Sequence, residues 1–349
     1  MKKFIATIAG VLLCGAFALS ACEGRNEPQG EIKGNYVEVT STELTEKLEK
    51  ITPDKLLGDT SSEDWKFGFE FTSDSRLEAD IKTTKGEETE PFIKLNIDEE
   101  STLKAMFEAT EDETAFGGLS VKMQNNNKLE GKIEKSDILE IEEDINFDYS
   151  INLHADDEYL YFQIPDMSDL PLPFEISEGK FKVPVKYLFS AVENLLPNTM
   201  SRAAEGDTSG VADFLTEYSL KAYVDESDGL KVKISADKQA LYTMLDKIAG
   251  IPAETAEGFA TFNTFAVDLY FETAADGKFE RAGLTADIDG TLNIKAGDLG
   301  DGVPALCGPV KIKADVTVKR FSGEIIMPTA EQLEEYIDIT DQNGENGNE

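Results

Sequence analysis

Histidine, cysteine and tryptophan are nearly missing from this 349-residue chain, which has one, three and one of them. Zinc centres draw several ligands from His and Cys, so a zinc site is excluded. A Ser-His-Asp or Cys-His relay would have to use His154, which closes an alternating stretch just before Ala155-Asp156-Asp157-Glu158 and reads as an exposed edge residue. There is no Gly-x-Ser-x-Gly elbow. Gly277-Lys278 lacks the upstream glycine and the following Ser or Thr of a phosphate loop, and reads instead as part of a hairpin turn. A lone tryptophan leaves little for sugar stacking beside a glycosidase carboxylate pair. The residue types thus point away from an enzyme and from any cofactor.

Basic residues are also scarce, with 33 Lys and Arg against 69 Asp and Glu and a formal charge of −36. Such a field repels nucleic acid and anionic headgroups and favours solubility. Most of the carboxylates read as solvated strand faces and loops. Asp287, Asp289 and Gly290 imitate part of a calcium loop, but Ala296 stands where the bidentate glutamate belongs, so no metal is assigned. The three cysteines fall in separate contexts, Cys14 and Cys22 near the start and Cys307 between Leu306 and Gly308. That pattern gives no disulfide framework, and Cys307 reads as a small apolar core residue.

What the chain does have is a strongly patterned start. Lys2 and Lys3 precede an apolar run from Phe4 to Phe17, and Leu19-Ser20-Ala21-Cys22 closes it. This is the order of parts in a secretory signal. With cysteine after the cut, the segment resembles a bacterial lipoprotein signal with its lipobox. The resemblance implies cleavage between Ala21 and Cys22, a diacylglycerol on Cys22, and an extracytoplasmic protein held to the cell membrane by that covalent lipid. Loss of Lys2 and Lys3 with residues 1–21 takes the formal charge from −36 to −38. Residues 22–40 are polar and aperiodic and read as a tether, 41–340 as a single domain, and 341–349 as a disordered acidic tail.

Within 41–340 a short helix opens at Ser41-Thr42-Glu43-Leu44 and carries Leu44, Leu48 and Ile51, with Pro53 as its limit. From Trp65 the period becomes two, with Trp65, Phe67, Phe69 and Phe71 apolar and their neighbours polar. Similar runs follow through Leu153, and polar stretches such as Asp98-Glu99-Glu100-Ser101 read as tight connections between short strands. Helical spacing returns in Val185, Leu188, Phe189, Val192, Leu195 and Leu196, stopped by Pro197. A second stripe, Leu241, Met244, Leu245 and Ile248, ends at Gly250 and Pro252. The final strands alternate through Phe271, Ile288 and Val318, and Thr329-Ala330-Glu331-Gln332 is a capping box. The predicted fold is mainly β (α+β): a large curved antiparallel sheet or open half-barrel of about a dozen strands, with a few helices on its concave face.

One helix, a long meander, a helical interruption and more strands resemble the LolA/LolB and LppX/LprG group of lipid-handling proteins. The likeness lies in element order and covers most of residues 42–338; no short motif carries it. It implies an apolar cavity between a curved sheet and its helices. Leu188, Phe189, Val192 and Leu196, with Leu241 and Leu245, are then candidates for contact with a lipid or other apolar ligand. The alternative is a surface scaffold with a fully packed core, which meets another protein or the cell wall. Polar residues among the inward positions would favour a ligand site over that alternative. For the anchor, the expected outcome is that Cys22→Ser blocks both precursor cleavage and incorporation of labelled fatty acid. Unchanged labelling of the mutant would overturn the assignment.

Overall fold

Phe67, Phe69 and Phe71 lie on one side of an extended chain and Lys66 and Glu70 on the other, so this segment forms a strand with one buried face. The computed structural model describes residues 30–58, 62, 64–85, 88–110, 119–136, 141–167, 178–185, 209–249, 251–296 and 305–339. In its first half come β1 (Val37–Val39), α1 (Ser41–Leu48), α2 (Pro53–Leu57), β2 (Lys66–Lys85), β3 (Glu88–Ala109), β4 (Leu119–Ile133), β5 (Ile145–Ala155), β6 (Tyr159–Ile164) and β7 (Gly179–Pro184). Then follow α3 (Ser209–Glu217), β8 (Lys221–Asp225), β9 (Lys231–Ala236), α4 (Lys238–Ala249), α5 (Ala253–Phe259), β10 (Ala260–Thr273), β11 (Phe279–Ile294), β12 (Ala305–Arg320), α6 (Ala330–Leu333) and β13 (Ile337–Asp338).

Among the described residues, 13 strands form one open, unclosed sheet in the order β1-β8-β9-β10-β11-β12-β2-β3-β4-β5-β6-β7-β13. The mainly β architecture predicted from alternation is therefore the one observed. Two meanders, β2 to β7 and β8 to β12, each pair neighbour to neighbour, and the β12–β2 ladder joins them. Every pairing is antiparallel except that of β13 with β7. Turn chemistry agrees with the sequence at the β8–β9 and β10–β11 hairpins, where Gly229 and Gly277 take φ of 77° and 84°.

Strand length departs from expectation. Asp98 to Ser101 form no turn; they lie in the middle of β3, which pairs without a break from Ile93 to Ala109. With 22 residues at about 3.3 Å each, β3 spans roughly 70 Å. The apolar phase runs unbroken through its polar middle, as it does in β2 and β4.

Two apolar clusters lie on the same face. In the larger, Phe67, Phe69 and Phe71 of β2 meet Ala105 and Phe107 of β3, Val121 of β4, Leu284 of β11 and Val316 and Val318 of β12. Leu57 of α2 covers part of it, and its carbonyl accepts a hydrogen bond from the buried Trp65 Nε1 at 3.0 Å. The smaller cluster packs Leu44 of α1 and Leu215 of α3 on Ala222, Val224 and Val232. Register places Val232 opposite Phe271 and Phe271 opposite Ala282, so α1 and α3 sit on the same inner face. Helix α1 opens at Ser41 as predicted, and Thr40 is its N-cap, forming a capping box with Glu43. Pro53 does not close that helix; it opens α2, where a missing N–H does no harm.

The outer face carries the N-terminal segment. Of the stretch read as a polar tether, residues 30–39 are docked on the sheet. Gly30 N donates to Asp315 Oδ1 at 2.6 Å, Asn35 N donates to Asp225 Oδ2 at 2.9 Å, and β1 pairs with β8. Ile32 is only 1% exposed, and Tyr36 packs against Tyr270 with ring centres 6.3 Å apart. Backbone meets backbone at Gly283, where a Cβ would collide with the Gly30 carbonyl. Gly283→Ala is therefore expected to release residues 30–36, seen as new protease cleavage there, while the main β signal in circular dichroism is kept. Protection equal to that of the parent would show that Gly283 does not hold the segment down.

Candidate functional site

On β2 the inward row reads Phe67, Phe69, Phe71, Ser73, Ser75, Leu77, Ala79, Ile81, so two serines interrupt an apolar series without shifting its phase. On β3 the interruption is Glu99 and Ser101, and on β4 it is Asn125 and Asn127. Pairing sets these interruptions side by side. Ser73 lies opposite Ser101, Ser101 opposite Asn127, and Ser75 opposite Glu99. The result is a polar band across the inner face at the centre of the three long strands.

Hydrogen bonds bind the band together. Ser75 Oγ donates to Glu99 Oε2 at 2.7 Å and Ser73 Oγ donates to the same oxygen at 3.1 Å. Ser101 Oγ donates to Asn125 Oδ1 at 3.1 Å. Ser73 and Ser75 are 3% and 1% exposed. Asn127 Oδ1 is buried and has no hydrogen-bond partner among the described residues. Burial pushes the Glu99 carboxyl above the usual glutamate range and Glu100 adds to this, while the two serine hydroxyls act against it. Among the described inward positions of β2–β5 and β9–β12 there is no Lys, Arg or His to balance that carboxylate.

The band separates two apolar regions. On one side is the buried core of Phe67, Phe71, Phe107 and Val318. On the other, Leu77, Leu95, Ile97, Ile133, Ile288 and Ile312 are only partly buried. Such a face can hold an apolar chain on its aliphatic side and a polar group at the band. An open groove of about 250 Å³ lies near the break in the β12–β2 ladder, but its wall mixes Glu78 and Asp80 with Lys94 and Lys311 and selects no sign of charge.

Cys22, Ala21, Leu188, Phe189, Val192 and Leu196 lie outside the described residues. Leu241 and Leu245 are partly buried on α4, whose most buried residues are Ala240 and Tyr242. That helix packs on α5 and against β9 and β10. His154 is not an exposed edge residue: it stands within β5, half-buried, and burial lowers its pKa. Asp287 and Asp289 belong to β11 and face Lys313 and Lys311, which removes the resemblance to a calcium loop. No cluster of metal-ligating side chains occurs among the described residues, and no described helix is long and apolar enough to cross a membrane. The polar band was missed because Asp98 to Ser101 read as a tight connection between two short strands. A signal for it existed in the sequence: the interruptions at 73–75, 99–101 and 125–127 leave the alternation in phase, as continuous strands require and turns do not.

The sequence matches no protein-family model and no curated protein.

Glu99 yields a test with a definite sign. The folded chain holds the Glu99 proton more tightly than the unfolded chain, so this residue costs stability as pH rises from the ordinary glutamate value through its raised folded value. Glu99→Gln should have a higher urea midpoint than the parent at about pH 7.5, and that advantage should shrink at about pH 5. An advantage that does not change with pH would show that Glu99 is not ionised at a cost.

Proposed function

We propose that this protein is a lipid-anchored extracytoplasmic carrier that holds an apolar ligand, a lipid, on the inner face of its sheet. The observation that carries this reading is the polar band of Ser73, Ser75, Glu99, Ser101, Asn125 and Asn127 set into an otherwise apolar face. A fully packed core gains nothing from such a band, because burying polar groups costs free energy unless every one is paired. Within the band, Asn127 Oδ1 stays unpaired among the described residues. An amphiphilic ligand accounts for both halves of the surface, its chain against Leu77, Ile97 and Ile312 and its head at the band. The lipobox-like Leu19-Ser20-Ala21-Cys22 supports the location, since a protein tethered to a membrane is next to its source of lipid. The likeness to the LolA/LolB and LppX/LprG group rests on the order of helices and strands alone.

The second reading, a packed scaffold at the cell surface, draws on the near-complete burial of Ser73 and Ser75. Native mass spectrometry separates the two. The carrier should show a lipid-sized adduct, beyond the acyl groups on Cys22, that is lost on denaturation and regained after incubation with phospholipid vesicles. A bare protein that acquires nothing from vesicles would favour the scaffold.

A further inference from the structure

The hydrogen bonds of the polar band leave acceptors unused on the inner face. The hydroxyl hydrogens of Ser73 and Ser75 go to Glu99 Oε2, and that of Ser101 goes to Asn125 Oδ1. What remains is the carboxylate's charge, with no inward basic side chain to meet it among the described residues, and the buried, unpartnered Asn127 Oδ1. Both groups call for a donor. An ammonium has three N–H donors and no acceptor, and it also brings the missing positive charge. An anionic head would set a second negative charge beside a desolvated carboxylate.

Resting on the apolar-ligand reading above, we propose that the band selects cationic amphiphiles, with Glu99 as counter-ion to a primary ammonium and Asn127 as a further acceptor. The occupant is a single- or double-chain amphiphile whose tail lies along Leu77, Ile97 and Ile312 and whose amine reaches Glu99 between β2 and β4. The raised proton affinity of Glu99 fits this assignment, because a buried carboxylate without a counter-ion is the one most relieved by gaining a cation. The strongly acidic exterior acts in the same direction at long range by concentrating cationic amphiphiles near the protein.

The test uses the full chain and the neutral fluorescent probe N-phenyl-1-naphthylamine, displaced by dodecylammonium or by dodecanoate below their micelle concentrations. Salt of about 0.3 M screens distant surface carboxylates and leaves the contact at the band. We expect dodecylammonium to displace the probe at roughly tenfold lower concentration than dodecanoate, a difference typical of one partly buried charge pair. In Glu99→Gln, with its fold checked by circular dichroism, the ratio should fall to about twofold or less while the probe still binds. Three results would overturn the assignment in different ways. No probe binding by the parent would remove the apolar-ligand reading and this inference with it. Probe binding with equal displacement by both amphiphiles would remove the ammonium preference alone, and it needs no variant. A preference unchanged in Glu99→Gln would show that the cation is held elsewhere.

Discussion

Register along the β12–β2–β3–β4 ladder is the constraint on which the rest of the structure depends. Side chains alternate with a period of two, so a slip of one residue between β2 and β3 would set Phe67, Phe69 and Phe71 of β2 on the opposite face from Ala105 and Phe107 of β3. The loss would be the burial of one strand's whole inward row, at roughly 1.5 to 3 kcal/mol for each large side chain. A slip of two would keep the faces but break up the band, setting Glu99 opposite Leu77 and Ser73 opposite Leu103 in one direction, or Ser75 opposite Ile97 and Ser101 opposite Phe71 in the other. The polar band thus pins the register that the apolar rows only narrow to alternate positions. That β2 and β3 stay in phase from Lys66 to Ile81, with a shift only at Ile81/Lys82, is the geometric result.

A buried Ser-Ser-Glu arrangement is costly as a core element. Each unpaired buried polar group costs about 1 to 3 kcal/mol, whereas a satisfied one is close to neutral. Two serine donors on one carboxylate oxygen hold the penalty down, and serine is small enough to lie between Val316 on one neighbouring strand and Ser101 on the other. The unpartnered Asn127 Oδ1 shows where satisfaction stops. On a face otherwise apolar, that incomplete pairing is the feature on which the proposed ligand reading rests.

The outer face solves a different problem. With 69 acidic and 33 basic residues, carboxylates cannot all find partners, and the sheet arranges cations as rungs between them. Glu272 sits between Arg281 at 2.6 Å and Lys231 at 3.4 Å, and Asp268 accepts from Lys233 at 2.8 Å and Ser235 at 2.5 Å. Asp74 has no such relief; burial and the nearby Glu100 and Asp315 hold its carboxyl above the usual aspartate range. The docked N-terminal segment adds to the burial here, for Gly30 approaches Gly283 and donates to Asp315. If Cys22 carries the anchor, this docking sets which face of the sheet lies nearest the membrane end of the chain.

The sequence by itself determined the mainly β class, the hairpin turns at Gly229 and Gly277, the capping box at Thr329 and the buried parity of nearly every strand. These are local properties, fixed by a period of two, by positive φ at glycine and by a side chain reaching three residues along. It also carries the lipobox-like start, which needs no fold to be read. The unbroken phase through Asp98 to Ser101 is a local sign that the strand continues, but tertiary structure alone decided that its polar residues join a band, because that depends on what lies beside them. Only the pairing of β2, β3 and β4 supplies that neighbour. The docking of residues 30–39 was equally hidden, since Ile32, Tyr36 and two glycines have no period until a sheet is there to receive them. The β12–β2 junction depends on residues more than two hundred positions apart, and no local pattern encodes a contact at that separation.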